Sequence, residues 1–131
     1  MDISFTDREL DVMAVLWHRG SGTVAEVREG LDDDLAYTTV LTILRTLEEK
    51  GFVTHLAEGK AHRYLPAVSQ DLAGKSALAR LIDKVFAGSS EMLLTQLVSE
   101  RNLDTHELRR LRKLLDERLA QQHGSSRKRR S

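Results

Sequence analysis

The sequence contains no cysteine among its 131 residues, which excludes disulfides, zinc fingers and thiolate metal sites. It has one proline and only 5% aromatic residues, so the interior must consist mainly of aliphatic side chains, a composition that suits helices. No apolar run approaches the roughly 18 residues of a membrane span, and the N-terminal residues do not form a signal peptide. We therefore expect a cytoplasmic protein without membrane insertion, built as one ordinary domain or two small ones.

The sequence signals of an enzyme are also missing. The five histidines, at positions 18, 55, 62, 106 and 123, do not show a metal-binding spacing such as HExxH. There is no glycine-rich phosphate loop and no nucleophile elbow. His55 and His62 could face each other across a hairpin, an arrangement that is more often a surface pair than a metal site. We expect no catalytic residues, no metal and no cofactor.

The net charge is zero, but it is unevenly distributed along the chain. Residues 1–66 carry −5, residues 67–123 carry +1 and residues 124–131 carry +4. The acidic N-terminal half argues against nucleic-acid binding, because neutralisation of phosphates supplies most non-specific affinity. Much of this negative charge is concentrated in Asp32, Asp33 and Asp34, which could lie away from a binding face. The basic segment 124–131 is predicted to be a disordered tail.

The stretch 36–50 (AYTTVLTILRTLEEK) has the pattern of a helix with one buried face. Its apolar residues recur every three or four positions: Val40, Ile43, Leu44 and Leu47. The opposite face carries short hydroxyl side chains and an arginine: Thr38, Thr39, Thr42 and Arg45. Because such side chains can contact phosphates and base edges, we predict that this helix enters the major groove of DNA, with Tyr37 near its rim. The competing interpretation is a surface helix with four chance threonines.

Residues 1–66 have the element order of a winged helix-turn-helix, which is three helices followed by a two-stranded hairpin. Capping boxes at Thr6–Glu9 and Thr23–Glu26 mark two helix starts, and Gly51 ends the third helix. Residues 52–56 and 61–65 are predicted to form strands on either side of a tight turn at Gly59. The basic residues of the hairpin tip, which would form the wing, are candidate DNA contacts: Lys60, His62 and Arg63.

Three further helices make the predicted fold mainly α: residues 69–87, a shorter helix capped by Ser89-Ser90, and a helix from 105 to about 122. The last one carries a stripe of four leucines: Leu108, Leu111, Leu115 and Leu119. Three helices of this size cannot bury so much apolar surface by themselves. We therefore predict that residues 67–123 are a dimerisation region and that the protein is a homodimer. The alternative is that these helices pack on the winged domain of the same chain.

Four segments of the sequence resemble the penicillinase-repressor family of bacteria (the BlaI/MecI/CopY group). They are residues 6–17 (TDRELDVMAVLW), 23–27 (TVAEV), 35–53 (LAYTTVLTILRTLEEKGFV) and 59–64 (GKAHRY). The resemblance implies a dimeric transcriptional repressor. Its N-terminal winged helix would bind a palindromic operator in double-stranded DNA, and its C-terminal three-helix region would dimerise.

The resemblance also bears on how such a repressor is released from DNA. In the antibiotic-responsive branch of the family, a membrane sensor-protease triggers cleavage at an Asn-Phe bond in the fifth helix. By position this bond corresponds to Gln96-Leu97, where the residues differ. In the copper-responsive branch a C-terminal cysteine cluster binds metal, a mechanism that a chain without cysteine cannot use. The resemblance thus implies Gln96 and Leu97 as a candidate cleavage site and a membrane sensor-protease as a candidate partner.

A second interpretation is a winged-helix module that binds a protein and does not contact DNA. The negative charge of residues 1–66 is its main support. A protein-binding face should carry apolar or aromatic anchors, however, and on the exposed face of the 36–50 helix only Tyr37 qualifies.

Overall fold

The computed structural model describes the chain from residue 3 to residue 130, with side chains as far as residue 124. Its helices and strands in this range follow one another as α1 (Asp7–Arg19), β1 (Gly22–Thr23), α2 (Val24–Gly30), α3 (Tyr37–Glu49), β2 (Val53–Glu58), β3 (Ala61–Pro66), α4 (Gln70–Lys84), α5 (Ser90–Glu100) and α6 (Thr105–Arg130). They form two compact units, divided between Val85 and Phe86. The prediction of a mainly α fold with an N-terminal winged helix-turn-helix is confirmed.

Local side-chain hydrogen bonds mark the helix starts. The Thr6 hydroxyl accepts a bond of 3.1 Å from the backbone N–H of Glu9, whose carboxylate accepts one of 2.8 Å from the N–H of Thr6, so the capping box of α1 is complete. Thr23 caps α2 by accepting from the N–H of Glu26. Gly51 follows the end of α3 with φ of 85°, a left-handed conformation in which a side chain would be strained.

The predicted hairpin of β2 and β3 is extended by a third strand. The strand order is β1-β3-β2, and both pairs are antiparallel. The turn of the hairpin contains Gly59, at φ of 60°. Gly22 and Thr23 of β1 lie opposite Tyr64 and Arg63 of β3, in a segment where the sequence predicts only the cap of a helix at Thr23. A two-residue strand is too short to show an alternating pattern, yet it connects the base of the wing to the start of α2.

The core of the first unit involves α1, α2, α3 and the sheet. Its completely buried side chains are apolar, with one tyrosine: Val12, Met13, Leu16, Val27, Val40, Leu44, Leu47, Val53 and Tyr64. Each buried aliphatic side chain stabilises the fold by about 1.5–3 kcal/mol relative to an exposed one. Because three of these residues belong to α3, burial determines which face of that helix remains in solvent.

The division between the two units differs from the predicted boundary after Pro66, because α4 belongs to the first unit. Val68 and Ala73 are buried with the winged-helix core. The indole N–H of Trp17 in α1 also donates a hydrogen bond of 2.9 Å to the carbonyl oxygen of Val68. The proline that ends the hairpin therefore does not end the unit.

The second unit contains α5 and α6, and α5 has no buried residue. α6 is capped by Asp104, whose Oδ1 accepts from the N–H of Glu107 at 2.8 Å. The helix continues to Arg130, well past its predicted end near Gln122. Residues 124–130, predicted to be a disordered tail, are therefore helical, whereas Ser131 lies outside the described residues.

Candidate nucleic-acid interface

The two faces of α3 differ sharply in accessibility. Val40, Leu44 and Leu47 are completely buried and attach the helix to the core. The opposite face exposes all the residues predicted to meet DNA: Tyr37, Thr38, Thr39, Thr42 and Arg45. Tyr37 is about half exposed, and in the described part of the chain Arg45 makes no ion pair. The candidate recognition surface is therefore contiguous and accessible.

The threonines of this face differ in how their hydroxyls are bonded. Oγ1 of Thr42 donates to the carbonyl oxygen of Thr38 at 2.9 Å, and Oγ1 of Thr46 donates to that of Thr42 at 2.9 Å. Within the described chain, the hydroxyls of Thr38 and Thr39 have no protein partner. The first turn of α3 thus offers free hydroxyls, whereas the hydroxyls of Thr42 and Thr46, in the second and third turns, are already bound to the helix backbone.

The N-terminus of α3 lacks the side-chain cap found on its neighbours. Its N-cap residue is Ala36, which has no side-chain acceptor, and its first turn contains no acidic residue. By contrast, Thr6, Thr23 and Ser69 cap α1, α2 and α4 through their hydroxyls. Because uncapped N–H groups and the helix dipole both favour a negative charge, this end of α3 is suited electrostatically to a phosphate.

Two of the three aspartates in the turn before α3, Asp33 and Asp34, lie beside arginines of the same unit. Arg8 forms an ion pair with Asp33, and Nη2 of Arg28 lies 3.9 Å from Oδ1 of Asp34. Nε of Arg28 also donates a bond of 2.7 Å to the carbonyl oxygen of Leu35, just before α3 begins. Such exposed pairs stabilise little, but they reduce the negative potential beside the recognition helix.

The wing supplies fewer free cations than the sequence predicts, because Arg63 is held by neighbours within the domain. Its guanidinium donates to Glu58 at 2.8 Å, to Glu26 at 2.9 Å and to Ser21 at 3.2 Å. The bond from Arg63 lowers the pKa of the Glu26 carboxyl more than burial raises it. Arg63 therefore connects β3 with the start of α2, and three of its five N–H groups are engaged within the domain.

Lys60 and His62 are exposed in the hairpin that forms the wing. The ring of His62 stacks on that of His55 across the hairpin, with centroids 4.3 Å apart and planes inclined by 14°. Nδ1 of His55 in turn lies 2.6 Å from Oε2 of Glu48 in α3. This contact between wing and recognition helix has no sequence signal, because neither residue belongs to a local motif.

Comparison with known proteins identifies the family. A family model described as penicillinase repressor matches residues 5–117. The chain belongs to the penicillinase repressor family. Its relatives include the transcriptional regulator BlaI of Mycobacterium tuberculosis, which is 39% identical over 105 residues that cover 75% of this chain and 74% of BlaI. The penicillinase repressor of Bacillus licheniformis is 25% identical over 114 residues, or 86% of this chain and 89% of that protein.

A solved structure of a MarR mutant from E. coli resembles this repressor in fold alone. Its TM-score is 0.51 at 18% sequence identity, and the match covers 88% of this chain and 79% of that chain.

Membership in the penicillinase repressor family establishes this protein as a DNA-binding transcriptional repressor and not an enzyme. The interpretation as a protein-binding module without DNA contact is therefore set aside.

The other predicted functional residues of the repressor lie in its second unit. Leu108, Leu115 and Leu119 are exposed on α6 and Leu111 is half-buried, whereas Gln96 and Leu97 are exposed within α5.

Within residues 3–130, no helix combines the length and apolar character that crossing a membrane requires. The same range contains no group of three His, Asp or Glu side chains that could hold a metal ion.

Proposed function

We propose that this repressor binds a palindromic operator as a homodimer, with α3 of each copy in the major groove and the wing on the adjacent backbone. The observation that carries the proposal is the exposed threonine and arginine face of α3, opposite three completely buried anchors. A rigidly attached helix with short polar side chains can approach base edges closely, and one arginine can bind guanine in two-point fashion.

The proposed contacts divide into sequence-reading and positioning groups. Thr42 in the second turn of α3 and Arg45 one turn further along would meet base edges, with Tyr37 at the rim of the groove. The free hydroxyls of Thr38 and Thr39 and the uncapped end of the helix would meet phosphates. Lys60 and His62 would place the wing on the backbone, whereas Arg63 supports the wing from within the domain.

The homodimer is proposed from the apolar surface of the second unit. Large apolar side chains are exposed along both of its helices: Met92, Leu94, Leu97, Val98, Leu108, Leu114, Leu115 and Leu119. Soluble proteins seldom leave such a dense apolar surface in water, and a second copy would cover it isologously. A two-fold axis would also supply two recognition helices about 34 Å apart, as a palindromic site requires.

The proposal that a membrane sensor-protease is a partner of this repressor rests on the family resemblance. The bond between Gln96 and Leu97 lies inside α5, which is helical from Ser90 to Glu100. Cleavage there would separate α6 from the DNA-binding unit, so its proposed consequence is loss of dimerisation and release of the operator. Incubation of the purified repressor with membranes of its host, followed by mass spectrometry of the fragments, tests this proposal.

The central proposal is tested by gel shift with DNA from upstream of the repressor's own gene at several salt concentrations. We expect one retarded complex containing two copies of the chain, and protection of two half-sites about one helical turn apart in a footprint. The expected affinity falls with added salt, because phosphate contacts release counterions. Protection of a single half-site by one copy would contradict the palindromic arrangement.

A further inference from the structure

The hydroxyl of Thr42 is already engaged by its own helix. Oγ1 donates to the carbonyl oxygen of Thr38 at 2.9 Å, although Thr42 is exposed in the middle of the proposed recognition face. A hydroxyl has a single proton to donate. While this bond exists, Thr42 cannot donate to a base or a phosphate, unlike Thr38 and Thr39, whose hydroxyls have no partner in the described chain.

The group that Thr42 presents to a groove is therefore its γ-methyl. The β-carbon carries only the hydroxyl and the methyl besides hydrogen, so turning the hydroxyl to the backbone leaves the methyl as the projecting group. In the major groove, thymine is the base that offers an apolar partner, its 5-methyl. Contact between two methyl groups needs no proton and leaves the bond to Thr38 intact.

We infer that Thr42 is a specificity-determining residue that recognises one thymine in each operator half-site through contact of its γ-methyl with the thymine methyl. The inference rests on the proposed function, because it requires α3 to lie in the major groove. Arg45, one turn further along the helix, supplies the polar base contact beside it. Loss of one such methyl contact should weaken binding about fourfold, which is the effect of exposing one buried carbon to water.

The test uses a duplex selected from a randomised pool with the purified full-length repressor. Each thymine of the selected duplex is replaced singly by deoxyuridine, which pairs identically but lacks the 5-methyl. We expect one thymine in each half-site at which replacement weakens binding about fourfold. Thr42→Val, which keeps the methyl, should retain both the affinity and this sensitivity. Thr42→Ser removes the contact in both half-sites, so it should bind about sixteenfold more weakly and be indifferent to deoxyuridine.

Thr39→Val and Thr39→Ser are the matched controls, because they make the same chemical changes at a free hydroxyl of the same helix. We expect Thr39→Val to weaken binding to all duplexes equally, with its sensitivity to deoxyuridine unchanged. Weaker binding by Thr42→Val than by Thr42→Ser would overturn the inference and indicate that the hydroxyl accepts from an amino group of adenine or cytosine. A selected duplex without any methyl-sensitive thymine would also overturn it, whereas failure to select any duplex would refute the proposed function itself.

Discussion

Nζ of Lys50, at the end of α3, lies 2.9 Å from Oε1 and 2.8 Å from Oε2 of Glu9 in the first turn of α1. Glu9 is only 4% exposed, and the same Oε1 accepts from the backbone N–H of Thr6 at 2.8 Å. One carboxylate thus completes the cap of α1 and also holds the C-terminal end of the recognition helix. This ion pair connects residues that are 41 positions apart in the sequence.

This ion pair should make stability depend on pH on the acid side. Burial raises the pKa of Glu9, but the hydrogen bonds from Lys50 and Thr6 and the charge of Lys50 together lower it below the ordinary 4.5. The unfolded chain therefore binds this proton more readily. The stabilisation is complete above the unfolded pKa and is lost as the pH falls through the lowered folded value. We expect Glu9→Gln to flatten this decline in urea unfolding measured from pH 7 to pH 3.

Lys50→Met should reveal the same dependence of stability on pH, because it removes the cation of the ion pair. It leaves the buried carboxylate without its cation, and we expect a loss of about 1–3 kcal/mol in the free energy of unfolding at pH 7. The loss should be smaller near pH 3 than at pH 7, because protonation of the Glu9 carboxyl removes the charge that Lys50 neutralises. Lys75→Met is the control, because its partner Asp71 is exposed and the pair lies on the surface of α4. An equal loss at both pH values would contradict the assignment.

Arg45→Ala tests base reading by α3. If Arg45 binds a guanine, its removal should cost about 1–3 kcal/mol of affinity for each half-site and relax the preference at one base position in each half-site. Quantitative gel shifts with the selected duplex and its single-base variants measure both effects. A uniform loss over all duplexes would instead assign Arg45 to phosphate, and a change of less than about twofold for both Arg45→Ala and Thr42→Ala would exclude α3 from the groove.

The two basic residues of the wing should behave differently. Lys60→Ala removes one phosphate contact from each of the two copies on the operator, so it should reduce the slope of log affinity against log salt by about 1.8, at about 0.9 per contact. Arg63→Ala should leave that slope unchanged but lower the melting temperature, because Glu26 and Glu58 lose their common partner. Salt titration and thermal melting of both variants separate the roles, and a reduced salt slope for Arg63→Ala would restore it as a DNA contact.

The position of α4 leads to an expectation for truncated chains. A chain ending after Val85 retains the hydrogen bond from Trp17 to Val68 and the buried Ala73, whereas one ending after Pro66 loses all of these contacts. We expect the longer chain to unfold cooperatively as a monomer and the shorter one to melt at a clearly lower temperature. Circular dichroism melting of both fragments makes the comparison, and equal melting temperatures would place the boundary after the hairpin.

Dimerisation should depend on the leucine stripe of α6. Replacing Leu111 and Leu115 with Asp would bury charges without partners in the proposed interface, so we expect a monomer with much weaker operator binding. Arg110→Asp with Gln121→Asp is the control, since these positions lie on the opposite side of the helix by its periodicity. Sedimentation equilibrium decides the question. A mass near 14.8 kDa for the unmodified chain at micromolar concentration would contradict the homodimer.

The sequence by itself determined the features that depend on neighbouring residues. The caps at Thr6 and Thr23, the left-handed glycines at Gly51 and Gly59 and the buried stripe of α3 all arise within one or two turns of chain. Such interactions form between residues a few positions apart, so their pattern can be read directly. The four segments that resemble the penicillinase repressor family are made of these same local patterns. The family, and with it the role as repressor, could therefore be recognised from the sequence.

Tertiary structure decided which polar side chains remain free to act. By sequence alone Arg63 is a basic residue of the wing, but in the fold it donates hydrogen bonds to Glu26, 37 residues away, and to Ser21, 42 residues away. The ion pair of Glu9 with Lys50 and the bond from Trp17 to Val68 likewise join distant positions, and the latter holds the segment after Pro66 against α1. These partners meet only after the core of α1, α2, α3 and the sheet has packed. Neither charge pattern nor periodicity records which distant group a side chain will find there.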